Sequence, residues 1–128
     1  MKNVVDSSGW LEYFAEGENE KFFAPAIQDV ENLIIPTLCL YEVFKRALAQ
    51  AGEEEALRAA GVMSLGQVVD LNRDLALDAA RISLTNKLAL ADSVILATAH
   101  AHTATLWTQD EHFKEIEGVK YVAKKPKA

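Results

Sequence analysis

The chain has 128 residues, half of them apolar, and its 13 Lys and Arg against 19 Asp and Glu leave a net charge of −6. That length suits one domain spanning residues 1–128 with a hydrophobic core that needs no staples, and it is too short for two. The composition excludes global disorder and collagen-like or low-complexity classes, which need low hydrophobicity or a strong residue bias.

The start, MKNVVDSSGW, carries one lysine and an apolar run broken at Asp6, so no signal peptide is expected. Lys2 to Val5 reads as a first strand, followed by a helix from about Ser8 to Glu16 that Ser8 caps and Gly17 ends. Pro25 favours a helix start and predicts a short helix over Lys21 to Gln28. Leu33 to Ile35 is the second strand. Pro36-Thr37 then opens a helix whose apolar positions, Leu40, Val43, Phe44, Ala47, Leu48 and Ala51, repeat at the helical period. Gly52 stops it, and Glu53 to about Ala60 forms a further helix with an acidic first turn.

Gln67 to Val69 predicts a third strand, and Asn72 caps a helix from Arg73 to Thr85. A loop over Asn86 to Ala91 leads to an apolar helix, Asp92 to His102. Thr105 to Thr108 is the fourth strand, Glu111 to Glu115 a short helical turn, and Lys120 to Val122 the last strand. Strands separated by helices pair in parallel, because the crossovers are too long for hairpins. The expected fold is α/β, a three-layer sandwich around a mostly parallel sheet, with ligands beyond the carboxyl ends of the strands. No apolar run approaches the ~20 residues that span a bilayer, so no membrane partner is expected. Cys39 is the only cysteine, which excludes an intrachain disulfide and a cysteine zinc cluster and suggests an intracellular setting.

Four acids are candidates for chemistry at that edge. Asp6 follows the first strand and Asp110 the fourth, while Glu42 lies early on the helix after the second strand and Asp92 begins an apolar helix. Each alone is explained by capping or solvation. Together they would repel one another unless a cation or shared proton neutralised them. Oxygen donors without sulfur or clustered histidine favour Mg²⁺ or Mn²⁺ over zinc. A cation held there presents positive charge to a phosphate and acidifies water, which points to metal-dependent phosphodiester hydrolysis. Net acidity argues only against a protein that binds nucleic acid by basic residues alone.

Val4-Val5-Asp6-Ser7-Ser8, Pro36 followed by Glu42, Leu90-Ala91-Asp92 running into Ile95-Leu96-Ala97-Thr98-Ala99, and Leu106-Trp107-Thr108-Gln109-Asp110 with Phe113 occur in this order over nearly the whole chain. In that order and spacing the sequence resembles the PIN-domain ribonucleases, specifically VapC-type toxins. The resemblance implies a five-stranded sheet ordered 3-2-1-4-5. It also implies that Asp6, Glu42, Asp92 and Asp110 form the catalytic and metal-binding cluster of an Mg²⁺- or Mn²⁺-dependent endoribonuclease. An RNA substrate, a cognate antitoxin, a homodimer and a cytoplasmic setting follow from it as expectations.

Beside the acids, Ser7 and Thr108 carry hydroxyls suited to orient a carboxylate or hold a water, against a capping serine and an ordinary strand threonine. Lys87 is a candidate substrate contact, against a solvated loop lysine. His100 and His102, two apart near a helix end, point in different directions, and His112 stands isolated; all three read as structural or surface residues. Cys39 reads as a small buried hydrophobe. Trp10, Leu11, Tyr13 and Phe14, with Phe22-Phe23 nearby, are core by default. Trp10, Tyr13 and Phe14 are also candidates for a partner surface, which by resemblance would receive an antitoxin segment. The basic tail, with Lys120, Lys124, Lys125 and Lys127, is placed either to steer RNA or to solubilise the chain.

Two other functions compete. A non-catalytic PIN-like module that binds RNA or protein is disfavoured by four intact acids. A phospho-acceptor receiver domain would want paired acids after the first strand and a lysine after the last core strand, and Val4-Val5-Asp6 and Trp107-Thr108-Gln109 supply neither.

Overall fold

The computed structural model describes residues 1–126, so Lys127 of the basic tail lies outside the described residues. Five short strands form one parallel sheet: β1 (Asn3–Val5), β2 (Leu33–Pro36), β3 (Gln67–Val69), β4 (Thr105–Thr108) and β5 (Val119–Tyr121). Their order is β3-β2-β1-β4-β5. Val4 is in register with Ile34 on one side and Leu106 on the other. Every residue of β1 and β2 is buried, as a parallel sheet requires when helices cover both faces.

Six helices connect the strands: α1 (Ser7–Phe14), α2 (Glu20–Gln28), α3 (Thr37–Ala51), α4 (Glu53–Met63), α5 (Arg73–Asn86) and α6 (Leu90–Ala101). Short 3-10 turns lie at Val30–Asn32 and Glu111–Phe113. The main core joins Val4, Val5, Trp10, Phe23, Ile34, Ile35, Ile95, Leu96, Leu106 and Phe113, and a second cluster of Leu75, Ala79, Val94 and Ala97 packs α5 on α6. Helix α6 is buried without a break from Ser93 to Ala99, which accounts for its apolar sequence. It begins at Leu90, two residues earlier than expected, so Asp92 falls within its first turn. No single helix among the described residues is long and apolar enough to cross a membrane.

Several local expectations need correction. Asp6, not Ser8, caps α1: its carboxylate accepts from the Gly9 N–H at 3.0 Å, and Ser8 Oγ donates to that same carboxylate at 2.7 Å. An anionic acceptor outcompetes a hydroxyl for the helix's free N–H groups. The helix stops at Phe14 rather than at Gly17, and Glu16 takes the left-handed turn at φ 52°. Pro25 does not open α2, which starts at Glu20; it sits inside the helix at an exposed position, where it removes one backbone hydrogen bond.

Gly9 is required by close approach. A Cβ there would lie 2.6 Å from both Phe23 Cε1 and Val5 Cγ1. This contact draws α1 onto β1 and α2 and carries Trp10 inward. Trp10 is fully buried, stacked on Phe14 at 5.6 Å and 27° and edge-on to Tyr13 at 6.5 Å. It is therefore a core residue and not part of an exposed partner surface; Tyr13 and Phe14 stay partly exposed.

Candidate active site

The chain runs from β1 through β2 to β3 on one side and then crosses to β4 and β5 on the other, so the strand order reverses between β1 and β4. That reversal leaves a crevice at the carboxyl ends of these two strands. The Asp6 N–H donates to the Trp107 carbonyl at 3.1 Å, which sets the ends of the two strands side by side. Asp6 and Asp110 leave those ends, Glu42 projects from α3 and Asp92 from α6, and all four line one cavity of about 580 Å³ with Ser7, Ser8 and Gln109.

Asp6 is the most enclosed of the four, at 3% exposure. Its Oδ1 accepts from Ser8 Oγ and the Gly9 N–H, and its Oδ2 accepts from Thr108 Oγ1 at 2.6 Å. Burial pushes its carboxyl up to about 6 despite those three hydrogen bonds, and the neighbouring Asp110 adds to the rise. Asp92 also lies at about 6, raised by burial and then by Asp110 and Glu42, with His112 acting in the opposite direction. Asp110 thus raises both Asp6 and Asp92, and Glu42 raises Asp92, on top of the larger effect of burial.

Both candidate hydroxyls engage carboxylates. Ser7 Oγ donates to Glu42 Oε1 at 2.6 Å, tying α1 to α3. Thr108, fully buried, donates to Asp6 while its oxygen accepts from the Asp110 N–H at 2.9 Å. Lys87 is exposed at the left-handed end of α5 and is not among the residues lining the acidic cavity. Cys39 is fully buried, with its thiol pushed up by burial and directed at the Val5 carbonyl, 3.7 Å away. It behaves as core.

His112 is not isolated. Its Nδ1 lies 3.1 Å from Asp110 Oδ1 and 3.8 Å from Asp92 Oδ2, on an exposed side chain. Asp92, Asp110 and His112 each offer a ligand atom, all within 4.8 Å of one another, and form a candidate metal group that does not include Asp6 or Glu42. The spacing Asp110-Glu111-His112 was visible in the sequence. Only the 3-10 turn at Glu111, with Asp110 capping the His112 N–H at 2.9 Å, folds the imidazole back beside the carboxylates.

The arrangement has counterparts among solved structures. A toxin–antitoxin complex from Klebsiella pneumoniae superposes with a TM-score of 0.74 at 25% identity, covering 93% of this chain and 96% of that one. VapBC2 from Rickettsia felis, bound to a DNA fragment from its promoter, gives 0.73 at 14% identity, covering 96% of this chain and 98% of that one. VapC20 from Mycobacterium tuberculosis, a toxin that cleaves the sarcin-ricin loop, gives 0.73 at 15%, covering 91% and 95%. Below 25% identity the likeness concerns the fold. No curated protein sequence matches the chain. Residues 4–119 match the PIN domain, a span that runs from β1 to the start of β5 and includes all four acids. The sheet order and this match together establish that the chain belongs to the PIN domain family.

Proposed function

We propose that this chain is a metal-dependent endoribonuclease that hydrolyses RNA phosphodiester bonds, the toxin of a toxin–antitoxin pair held silent by a cognate antitoxin. The observation that carries the reading is the convergence of Asp6, Glu42, Asp92 and Asp110 from four separate elements on one cavity. A structural role would not bring four carboxylates together where two of them are pushed up to about 6.

The donor set fits a hard divalent cation, Mg²⁺ or Mn²⁺. Asp92 and Asp110 would hold it, with His112 within reach and Glu42 completing the wall. When bound, such an ion acidifies water and stabilises the departing oxygen. The chain's own residues do the rest. Ser7 holds the Glu42 carboxylate in one orientation, and Thr108 and Ser8 do the same for Asp6.

An apolar groove of about 400 Å³ between α1, α3 and α4, lined by Leu11, Phe14, Val43, Ala47 and Val62, suits an antitoxin segment. Phe14 is the candidate partner residue that reaches it. Tyr41, Leu77, Leu84 and Leu90 are exposed apolar side chains on α3, α5 and α6, available to the contacts of a homodimer in this reading. The setting is cytoplasmic and residues 1–128 act as one PIN-like unit in this reading.

The test is cleavage of total cellular RNA by the purified chain with Mn²⁺, Mg²⁺ or chelator, beside Asp6→Asn. Discrete metal-dependent fragments absent from the variant are expected. Intact RNA beside a folded, metal-binding protein would favour a non-catalytic binding module.

A further inference from the structure

The segment after β5 is fastened along the edge of the acidic cavity. The Val122 N–H donates to the Thr108 carbonyl at 3.0 Å. Asn19, buried at the turn before α2, donates from Nδ2 to the Ala123 carbonyl at 3.0 Å and to Gln109 Oε1 at 2.9 Å. Its own N–H is held by Glu12 Oε2 at 2.7 Å. Burying a side-chain amide is costly unless it is so satisfied, so Asn19 defines where this segment lies.

The consequence is the place given to Lys124. It borders the four-acid cavity and the two cavities beside it, of about 810 and 500 Å³. Arg46, one helical turn after Glu42, lines the same acidic cavity from α3. Neither cation is ion-paired with an acid among the described residues.

A phosphate strand approaching this cavity meets four carboxylates on a chain of net charge −6. One divalent cation does not cancel them, so a polyanion needs further positive charge close by. We propose that Lys124, set in place by Asn19, binds an RNA phosphate next to the scissile one, and that Arg46 binds the phosphate on the other side. This rests on the nuclease reading above. Lys124 and Arg46 touch the substrate, whereas Asn19 is a positioning residue acting through the Ala123 carbonyl.

The test is binding of a short fluorescent oligouridylate, followed by anisotropy over a range of salt in an Asp92→Asn background that cannot cut it. Lys124→Ala is expected to weaken binding about fivefold at physiological salt, as loss of one exposed charge contact does. It should also flatten the slope of log affinity against log salt by about 0.7, one single-strand phosphate. Lys124→Arg restores the slope, Arg46→Ala removes a similar increment additively, and Asn19→Ala reproduces the Lys124→Ala slope with no further loss in the double variant. An unchanged slope in Lys124→Ala overturns the proposal even if the protein cuts RNA. A lower melting temperature in Asn19→Ala without a change of slope overturns the positioning role. RNA bound through Lys124 but never cut by the unaltered chain supports the contact and overturns the nuclease reading.

Discussion

The Thr108 hydroxyl joins two carboxylate-bearing segments: it donates to Asp6 Oδ2 at 2.6 Å and accepts from the Asp110 N–H at 2.9 Å. One buried oxygen therefore sets the spacing between the end of β1 and the end of β4. In Thr108→Val the shape is kept but the bridge is lost, leaving a backbone N–H and a buried carboxylate without this partner. Stability is expected to fall by about 1–3 kcal/mol, and divalent-metal affinity by 10- to 100-fold on the order seen for lost supporting contacts. Urea melts and metal titration measure the two effects. Thr108→Ser should restore both, and a silent Thr108→Val would remove the bridge from the account.

Asp92→Asn removes one of the crowded charges. Without metal the variant is expected to melt no lower than the unaltered chain near pH 7, because a carboxyl that burial and its neighbours disfavour is replaced by a neutral amide. Millimolar Mg²⁺ or Mn²⁺ should stabilise the unaltered chain, by about 2.7 kcal/mol at a hundredfold excess over Kd, and so raise its melting temperature but not that of the variant. Equal shifts in both proteins would show that Asp92 holds no metal, and an unfolded variant would assign Asp92 to the core instead.

The pH dependence follows from the same pair. Asp6 and Asp92 titrate near 6 in the folded chain against 3.8 for a free carboxyl, so the native state carries more protons than the unfolded state between those values. Their contribution to stability is therefore greatest in acid and is lost as pH rises from about 4 to about 6. For the buried Asp6 the loss amounts to about 3 kcal/mol; for the partly solvated Asp92 it is smaller. A bound divalent cation neutralises that penalty, so the melting-temperature gain on adding Mg²⁺ should be larger near pH 7.5 than near pH 5. Calorimetry at both pH values decides it: a gain independent of pH contradicts the assignment of these carboxyls.

Gly9→Ala tests the seat of α1. The added methyl meets Phe23 and Val5 at 2.6 Å, and both belong to the packed core. Destabilisation of about 1–3 kcal/mol is expected, against the usual gain from alanine within a helix. Chemical denaturation measures it, and a stabilised variant would mean that α1 moves freely off the sheet.

Much of the architecture is legible in local chemistry. The β-branched runs at Val4-Val5 and Leu33 to Ile35, the helical spacing from Leu40 to Ala51, and the Asn72 cap each specify their own element through short-range sterics and backbone hydrogen bonding, and each forms where the residues place it. The alternation of strands and helices then implies parallel pairing, and acids at strand ends point to the edge where four of them meet.

Other features depend on groups far apart in the chain. Trp10 reads equally well as core or as partner surface until Gly9 permits α1 to close on Phe23 and Val5. His112 has Asp110 two residues before it, but that spacing becomes a three-residue group only when the 3-10 turn folds the imidazole back and Asp92 arrives from α6. Lys124 lies beside the acids only because Asn19, more than a hundred positions earlier, captures the Ala123 carbonyl. The sequence by itself determined the elements, their order and the four acids, since propensity and periodicity act over a few residues. Only the tertiary structure decided which side chains face those acids and how far burial raises them, since desolvation and charge coupling depend on distance through space.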